Sequence, residues 1–341
     1  MRLARSLAVA AVVAMLLASC TGGSTPSETT STAPDPRVRG TLLVRSGFGG
    51  AFVLVELPEG RETPLPMPDF FRTVSGFFDD DGSVVALLEV SQGARLYRLA
   101  VDEEPVALGP PLPAGDTLSH GGGSVLVTGC GTPPFARVLD LSEPTTWRTV
   151  DAGCGAALSA DARSAVWSPD GQTLVEAPID GSSAPVTIAD VADLSVPAGV
   201  SPAPAFAPPI ALAEQGRAVA LTTLDGWQGV AVDTDPPTAS PLGDRGAGPL
   251  QVYLDWQPDG TLLAVASSTT LGGIVRLVDD GEPRVIAMFR EPANGTVWGP
   301  DGTALLAASN GVWAVVDLDG AWLWSRIVGR GQEPLDWWAG G

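Results

Sequence analysis

The chain has 341 residues, with 19 basic against 39 acidic side chains and a formal charge of −20. That balance excludes nucleic-acid partners, because phosphates need a basic face to displace their counterions, and it excludes electrostatic docking on anionic lipid. Only 17% of the residues are charged, while 41 Gly and 31 Pro punctuate an apolar background, a composition that suits many short strands joined by tight turns.

The chain opens with Arg2 and Arg5, then an apolar run of about eleven residues from Leu7 to Leu17. A spanning helix needs roughly twenty, so residues 1–19 read as a signal peptide. The run ends in Leu17-Ala18-Ser19-Cys20. This resembles the bacterial lipobox, and the resemblance implies that Cys20 becomes the mature N-terminus and carries the lipid, acyl chains such as palmitate. Loss of Arg2 and Arg5 with the leader takes the charge from −20 to −22. Every basic residue is Arg, none is Lys, and Asn occurs only at 294 and 310. Such usage points to a GC-rich genome and, with the lipobox, to an actinobacterium. Residues 20–38 hold almost nothing that could form a core and read as a tether. The sixteen residues from Thr21 to Pro36 would span roughly 20–25 Å.

From residue 39 to 341, turn signals followed by apolar strands recur. They fall at Asp81-Gly82-Ser83, Gly122-Gly123-Ser124, Asp161-Ala162-Arg163, Gln215-Gly216-Arg217, Asp259-Gly260-Thr261 and Asp301-Gly302-Thr303, about 41, 39, 54, 44 and 42 residues apart. A period near forty with four strands per unit is the signature of a β-propeller. Asp-Gly suits the turns because Gly accepts positive φ and Asp bonds its own backbone. The unit is clearest at Gln251–Gln257, Thr261–Ser267, Gly273–Asp279 and Pro283–Phe289 (strands a to d). Six internal units cover about 70–110, 115–151, 153–191, 208–244, 250–290 and 294–330. The 54-residue spacing contains a Pro- and Ala-rich insertion, Leu194 to Pro209, without strand periodicity.

The two ends read as halves of a seventh unit. Leu335-Asp336-Trp337-Trp338 matches Leu254-Asp255-Trp256-Gln257, and Gly40-Thr41-Leu42-Leu43-Val44 matches Gly260-Thr261-Leu262-Leu263-Ala264. The expected fold is therefore all-β, a propeller of seven four-stranded blades. Strands b, c and d of the composite blade come from 40–66 and its innermost strand from 334–341, closing the ring. Trp256-Gln257-Pro258-Asp259-Gly260, Trp298-Gly299-Pro300-Asp301-Gly302 and Trp167-Ser168-Pro169-Asp170-Gly171 resemble the repeat of TolB-like and WD-repeat-like propellers. The third of these falls at a b–c turn. The resemblance implies fold and permits roles beside envelope complexes; it selects no activity.

Candidate chemistry is sparse. With Cys20 lipidated, Cys130 and Cys154 are an even pair in an oxidising compartment and are expected to form a disulfide between neighbouring blades. His120 is the sole histidine; beside Ser119 it invites a triad, but Ser119-His120-Gly121 reads as an a–b turn. Without Lys there is no Schiff base. The turn carboxylates Asp79, Asp80, Asp81, Asp259 and Asp301, and Asp279-Asp280-Gly281, read as turn chemistry, since no segment has calcium-loop spacing. Neither a metal nor a cofactor is expected. Asn294-Gly295-Thr296 matches a glycosylation sequon but reads as an Asn-Gly turn. Trp337 and Trp338 are expected at the ring seam. Trp313, Trp322 and Trp324 are candidates for an exposed aromatic binding strip or for packing between the last and first blades.

These readings give a lipid-anchored module on the outer face of the cell membrane. It binds or scaffolds a protein or other envelope component without catalysis. The alternatives are a glycan- or lactone-directed enzyme with carboxylates in the central channel, or a small-ligand sensor.

Overall fold

The structure is a computed structural model. It describes residues 34–47, 50–159, 161–167, 173–190, 210–212, 218–222, 226–231, 238–244, 252–258, 261–269, 272–278 and 283–340. The leader, Cys20, the tether as far as Ala33, the insertion 194–209, the turn Asp279-Asp280-Gly281 and Asp259 lie outside the described residues.

Among the described residues the regular elements are strands, and no helix is long and apolar enough to cross a membrane. The chain opens with β1 (Gly40–Ser46), β2 (Phe52–Leu57) and β3 (Arg61–Pro64). The second group is β4 (Arg72–Phe78), β5 (Val84–Val90), β6 (Gly93–Leu99) and β7 (Val106–Leu112). The third is β8 (Thr117–Gly121), β9 (Ser124–Gly129), β10 (Phe135–Asp140) and β11 (Arg148–Thr149). The fourth is β12 (Ala157–Leu158), β13 (Ser164–Trp167), β14 (Thr173–Pro178) and β15 (Val186–Asp190). The fifth is β16 (Ile210–Leu212), β17 (Ala218–Thr222), β18 (Gly226–Ala231) and β19 (Thr238–Asp244). The sixth is β20 (Val252–Trp256), β21 (Leu263–Thr269), β22 (Gly272–Val278) and β23 (Arg284–Phe289). The seventh is β24 (Ala293–Trp298), β25 (Ala304–Ser309), β26 (Val312–Asp317) and β27 (Trp322–Ile327), and β28 (Gln332–Trp338) ends the chain.

Each group of four is one antiparallel sheet in chain order, and the first three strands share a sheet with the last in the order β28-β1-β2-β3. This is sheet 1; the others are sheets 2 to 7. The first strand of each internal sheet lies against the first strand of the next. Thus β4 meets β8, β8 meets β12, β12 meets β16, β16 meets β20 and β20 meets β24. β28 meets both β24 and β4.

The burial pattern explains why the strands assemble this way. Second strands are apolar on both faces: Val84 to Leu88 are fully buried, as is all of β9 and β25. Period-2 alternation divides each between two neighbours. Val84, Ala86 and Leu88 pack with Leu43 and Phe52 of sheet 1, whereas Val85 and Leu87 pack with Val125 and Val127 of sheet 3. Each fully buried Leu or Val in these rows is worth roughly 1.5–3 kcal/mol. The outer strands β3, β7 and β11 are largely exposed edges, and β7 carries Pro110 and Pro111, which blunt pairing with another chain.

The a–b turns of sheets 2, 4 and 7 share one device. Gly82 N–H donates to Asp79 O at 2.9 Å and Gly302 N–H to Gly299 O at 2.8 Å. Asp81, Asp161 and Asp301 accept the N–H two residues on, from Ser83, Arg163 and Thr303, at 2.9, 3.1 and 2.9 Å. Gly82 is required twice over: its φ is +80°, and a Cβ there would lie 2.5 Å from the Trp338 ring.

Three expectations are corrected. The match of Gly40–Val44 to Gly260–Ala264 is one residue out of register. Leu43 pairs with Asp336, and Ala264, not Leu263, pairs with Asp255. No covalent turn joins β28 to β1, and a bulge between Leu43 and Val44 takes up the slack; a one-residue slip would otherwise turn every side chain to the wrong face. Asn294-Gly295-Thr296 is strand, not turn: it lies in β24, with Asn294 and Thr296 each 7% exposed. His120 lies in β8, opposite Val125, and the turn is Gly122-Gly123.

Cys130, just past β9, and Cys154, just before β12, are joined by a disulfide with Cα atoms 4.8 Å apart, linking sheets 3 and 4. The sequence separation is 24, so Cys130→Ala/Cys154→Ala should lower unfolding free energy by about 3 kcal/mol, read as an earlier urea midpoint. Ending the chain after Gly331 removes β28, exposes the inner edge of β1 and takes Trp337 from its core. That truncation should abolish a single cooperative unfolding transition in calorimetry.

Candidate functional site

The inner strands end in a repeated contact. Phe78, Leu158 and Trp298 are each the last residue of an innermost strand, and such a strand is a sheet edge whose outward N–H groups have no ladder partner. A side chain from the preceding sheet accepts each one. Asp336 Oδ2 takes Phe78 N–H at 2.7 Å, Ser119 Oγ takes Leu158 N–H at 2.9 Å, and Asp255 Oδ2 takes Trp298 N–H at 3.0 Å. The three acceptors share one register position. They lie opposite Leu43, Leu126 and Ala264, residues that face the next sheet.

The next position along carries a group that packs backwards. Trp298 Nε1 donates to Asp255 O at 3.0 Å, and the Phe78 ring stacks on Trp338 at 5.9 Å. Trp337 is 4% exposed and its Nε1 donates to Arg39 O at 2.8 Å. His120 fills this slot in β8. Phe77 stands where β28, β8 and β20 have the acceptor, and the imidazole stacks flat on its ring at 3.9 Å and 8°.

Asp336 is a perturbed carboxyl. Burial pushes it up, and the N–H groups of Phe78 and Trp337, each at 2.7 Å, and the nearby His120 charge pull the other way. Both of its oxygens are occupied by backbone. Ser119 and His120 are neighbours in a strand and point to opposite faces, and the Ser119 hydroxyl already serves Leu158. The Ser-His pairing that the sequence invites does not form.

At the other end of these strands, Arg45 is hydrogen-bonded to Glu333 and donates to Val74 O at 2.6 Å. The Tyr253 hydroxyl is pushed up to about 12, first by burial and then by Glu333, so it keeps its proton at neutral pH. Among the described residues no group of three or more His, Cys, Asp or Glu could hold a metal ion.

The three candidate tryptophans do not share a surface. Trp313 is 1% exposed, in the core between sheets 7 and 1. Trp324 packs on the same core and donates Nε1 to Pro58 O at 2.9 Å. Trp322 is 49% exposed and leans on Phe289 of sheet 6 at 6.0 Å. Even spacing predicts one face for Trp322 and Trp324, but a bulge in the β26–β27 pairing sets Trp324 opposite Val315 and Trp322 opposite Val316. The extra residue turns them to opposite sides. The sequence did contain the signal for Asp255 and Asp336, in the repeated Leu-Asp-Trp, but not the reason for it.

No protein-family model and no curated protein matches the chain. Solved structures do. A protein provisionally assigned as a 6-phosphogluconolactonase from Bacteroides uniformis aligns over 87% of this chain and 98% of its own, at 16% identity and a TM-score of 0.55. The β-propeller domain of Cps50 (Swd1) from Myceliophteria thermophila aligns over 80% and 93%, at 13% identity and 0.52. TolB from Acinetobacter baumannii aligns over 87% and 82% at 12% identity, with a TM-score of 0.46 that carries no argument. These likenesses establish a β-propeller fold and nothing about activity.

Replacing Asp336 or Asp255 by Ala strands a buried N–H and should cost about 1–3 kcal/mol each, measured by urea unfolding. The pH dependence has two opposite parts. Hydrogen bonds from Ser83, Ser142 and Ser159 hold Asp81, Asp140 and Asp161 below the ordinary carboxylate range. Their stabilisation is present above the unfolded pKa and is lost as pH falls through the folded values. Asp336 is raised, so its contribution is present at low pH and is lost as pH rises through its folded value. Relative to Asp336→Asn, wild type should therefore lose stability as pH rises above the ordinary carboxylate range, about 4.

Proposed function

We propose that the sheets are the blades of a closed seven-bladed propeller, held by a lipid on Cys20 at the outer face of a bacterial, actinobacterial-type cell membrane. Its role is a noncatalytic binding or scaffold module for a protein or other envelope component. The closed ring is supported by the contacts that run from each inner strand to the next, with β28 touching both β24 and β4. The noncatalytic role rests on one observation above all. The inner-strand carboxylates Asp255, Asp336 and Glu333 are already engaged, the first two by backbone N–H groups and the third by Arg45. A general acid or base needs a free oxygen within reach of substrate.

The anchor places the body. The folded chain begins beside sheet 7, where Arg37 reaches Asp317 at 3.6 Å and Val38 enters the core of sheets 7 and 1. The tether therefore attaches at the end that carries the a–b and c–d turns. An enzymatic reading keeps one point in its favour, the raised Asp336 carboxyl near the sole histidine.

Growth with an alkyne analogue of palmitate should label the wild-type chain and leave Cys20→Ala unlabelled. Crosslinking in cells, followed by mass spectrometry of the purified lipidated protein, should recover a stoichiometric membrane partner that the Cys20→Ala variant loses. Repeated recovery of no partner would overturn the scaffold reading. Hydrolysis of glycan or lactone substrates that disappears in Asp336→Asn would establish the enzyme instead.

A further inference from the structure

Sheets 1 and 2 are held together at their inner strands and by a shared apolar core, but at the turn end of their outer strands they enclose a cleft of about 290 Å³. Its floor is the open end of that core, Leu54, Leu65 and Leu99. Its rim is the β6–β7 turn, where Val101 and Val106 are 42% and 54% exposed and Asp102 is held at φ 61°. The lining is thus mixed, apolar at Leu54, Val101 and Val106 and polar at Asp81, Ser83, Arg98, Glu103 and Glu104.

The charge of the cleft selects the occupant. Arg98, its sole cation, is bound to Asp79 at 2.8 Å. Glu103 and Glu104 stand at the mouth, exposed and without an ion pair among the described residues. Asp81, also in the lining, already accepts the Ser83 N–H at 2.9 Å. Among the described residues no aromatic ring lines the cleft, so nothing offers a guanidinium a face to stack on, and the separate carboxylates of Glu103 and Glu104 suit a compact ammonium better than a planar fork. The volume lies at the bottom of the range for ligand sites, about 300–1,000 Å³, enough for one side chain. The sequence holds no lysine, so a lysine in the cleft comes from a different protein.

We propose that this cleft receives a lysine side chain from a protein partner. The aliphatic stem lies on the part-exposed Leu54, the ammonium reaches Glu103 and Glu104, and apolar neighbours in the partner rest on Val101 and Val106. This rests on the scaffold reading above and names the chemistry of its partner.

The test titrates the purified mature chain with acetyl-Val-Lys-Val-amide, followed by NMR. The norleucine and acetyl-lysine versions of the same peptide should bind at least tenfold more weakly, and so should the lysine peptide to Glu103→Gln/Glu104→Gln. Binding should also weaken with added salt. Both glutamates are exposed, so the double variant should keep its Tm; Val106→Gln, which leaves the charge intact, should weaken binding independently. Absence of binding, equal binding of the norleucine peptide, or indifference to the double variant would each overturn the proposal. Cadaverine binding as tightly as the peptide would mark a small-cation site and overturn it too. In cells, a crosslinked partner that persists in Glu103→Gln/Glu104→Gln would sink this cleft while leaving the scaffold reading standing.

Discussion

The structure depends on one constraint: its sheets are apolar on both faces. A sheet such as β4–β7 cannot stand at the end of a stack, because Val84, Ala86 and Leu88 need cover on one side and Val85 and Leu87 on the other. The described cores obey this, joining sheet 7 to 1, 1 to 2, 2 to 3, 3 to 4 and 6 to 7. An open row would leave two such faces in water, at roughly 25 cal/mol for each Å². A chain that places its last strand beside its first removes both terminal faces at once. This is why the pairing of β28 with β1 is the contact on which the proposed ring turns.

Packing alone would leave the inner strands unfinished. An innermost strand has edge N–H groups with no ladder partner, and a buried donor without a partner costs about 1–3 kcal/mol. Asp336, Ser119 and Asp255 answer that cost from the preceding sheet, and the aromatic side chains one position on press back in return. Acceptor forward and ring backward make each step directional. Where the acceptor is replaced, as at Phe77, ring stacking on His120 takes over. The sole histidine thus has a structural occupation that accounts for its place.

Much of this was legible in the chain because propeller units repeat their turn chemistry. Asp-Gly and its variants marked the a–b turns, and the likeness of Leu254-Asp255-Trp256 to Leu335-Asp336-Trp337 pointed to the shared sheet of the two termini. What could not be read was register. Whether Leu42 or Leu43 faces sheet 2 depends on a bulge that no residue type announces. The same is true of Trp322 and Trp324, separated by an irregularity in the β26–β27 pairing. Asn294-Gly295 misled because the dipeptide that favours a turn also tolerates the bulge in β24 between Ala293 and Gly295. The cleft between sheets 1 and 2 was invisible for a different reason. Its walls come from residues 54 to 106, on two sheets, and its chemistry is ordinary Leu, Val and Glu.

That ordinariness bears on function. Catalysis needs polar groups that are preorganised yet unspent, and Asp336, Ser119 and Asp255 are spent on holding strands together. The groups left unspent lie at the outer strands, where Glu103 and Glu104 carry charge without a partner and the neighbouring valines carry apolar surface without cover. Sheets that meet at their inner strands must diverge outward, so the same geometry that closes the inner end opens clefts at the rim. On the proposed scaffold reading, recognition falls to the periphery, and an acidic body with no lysine of its own suits a partner that has them.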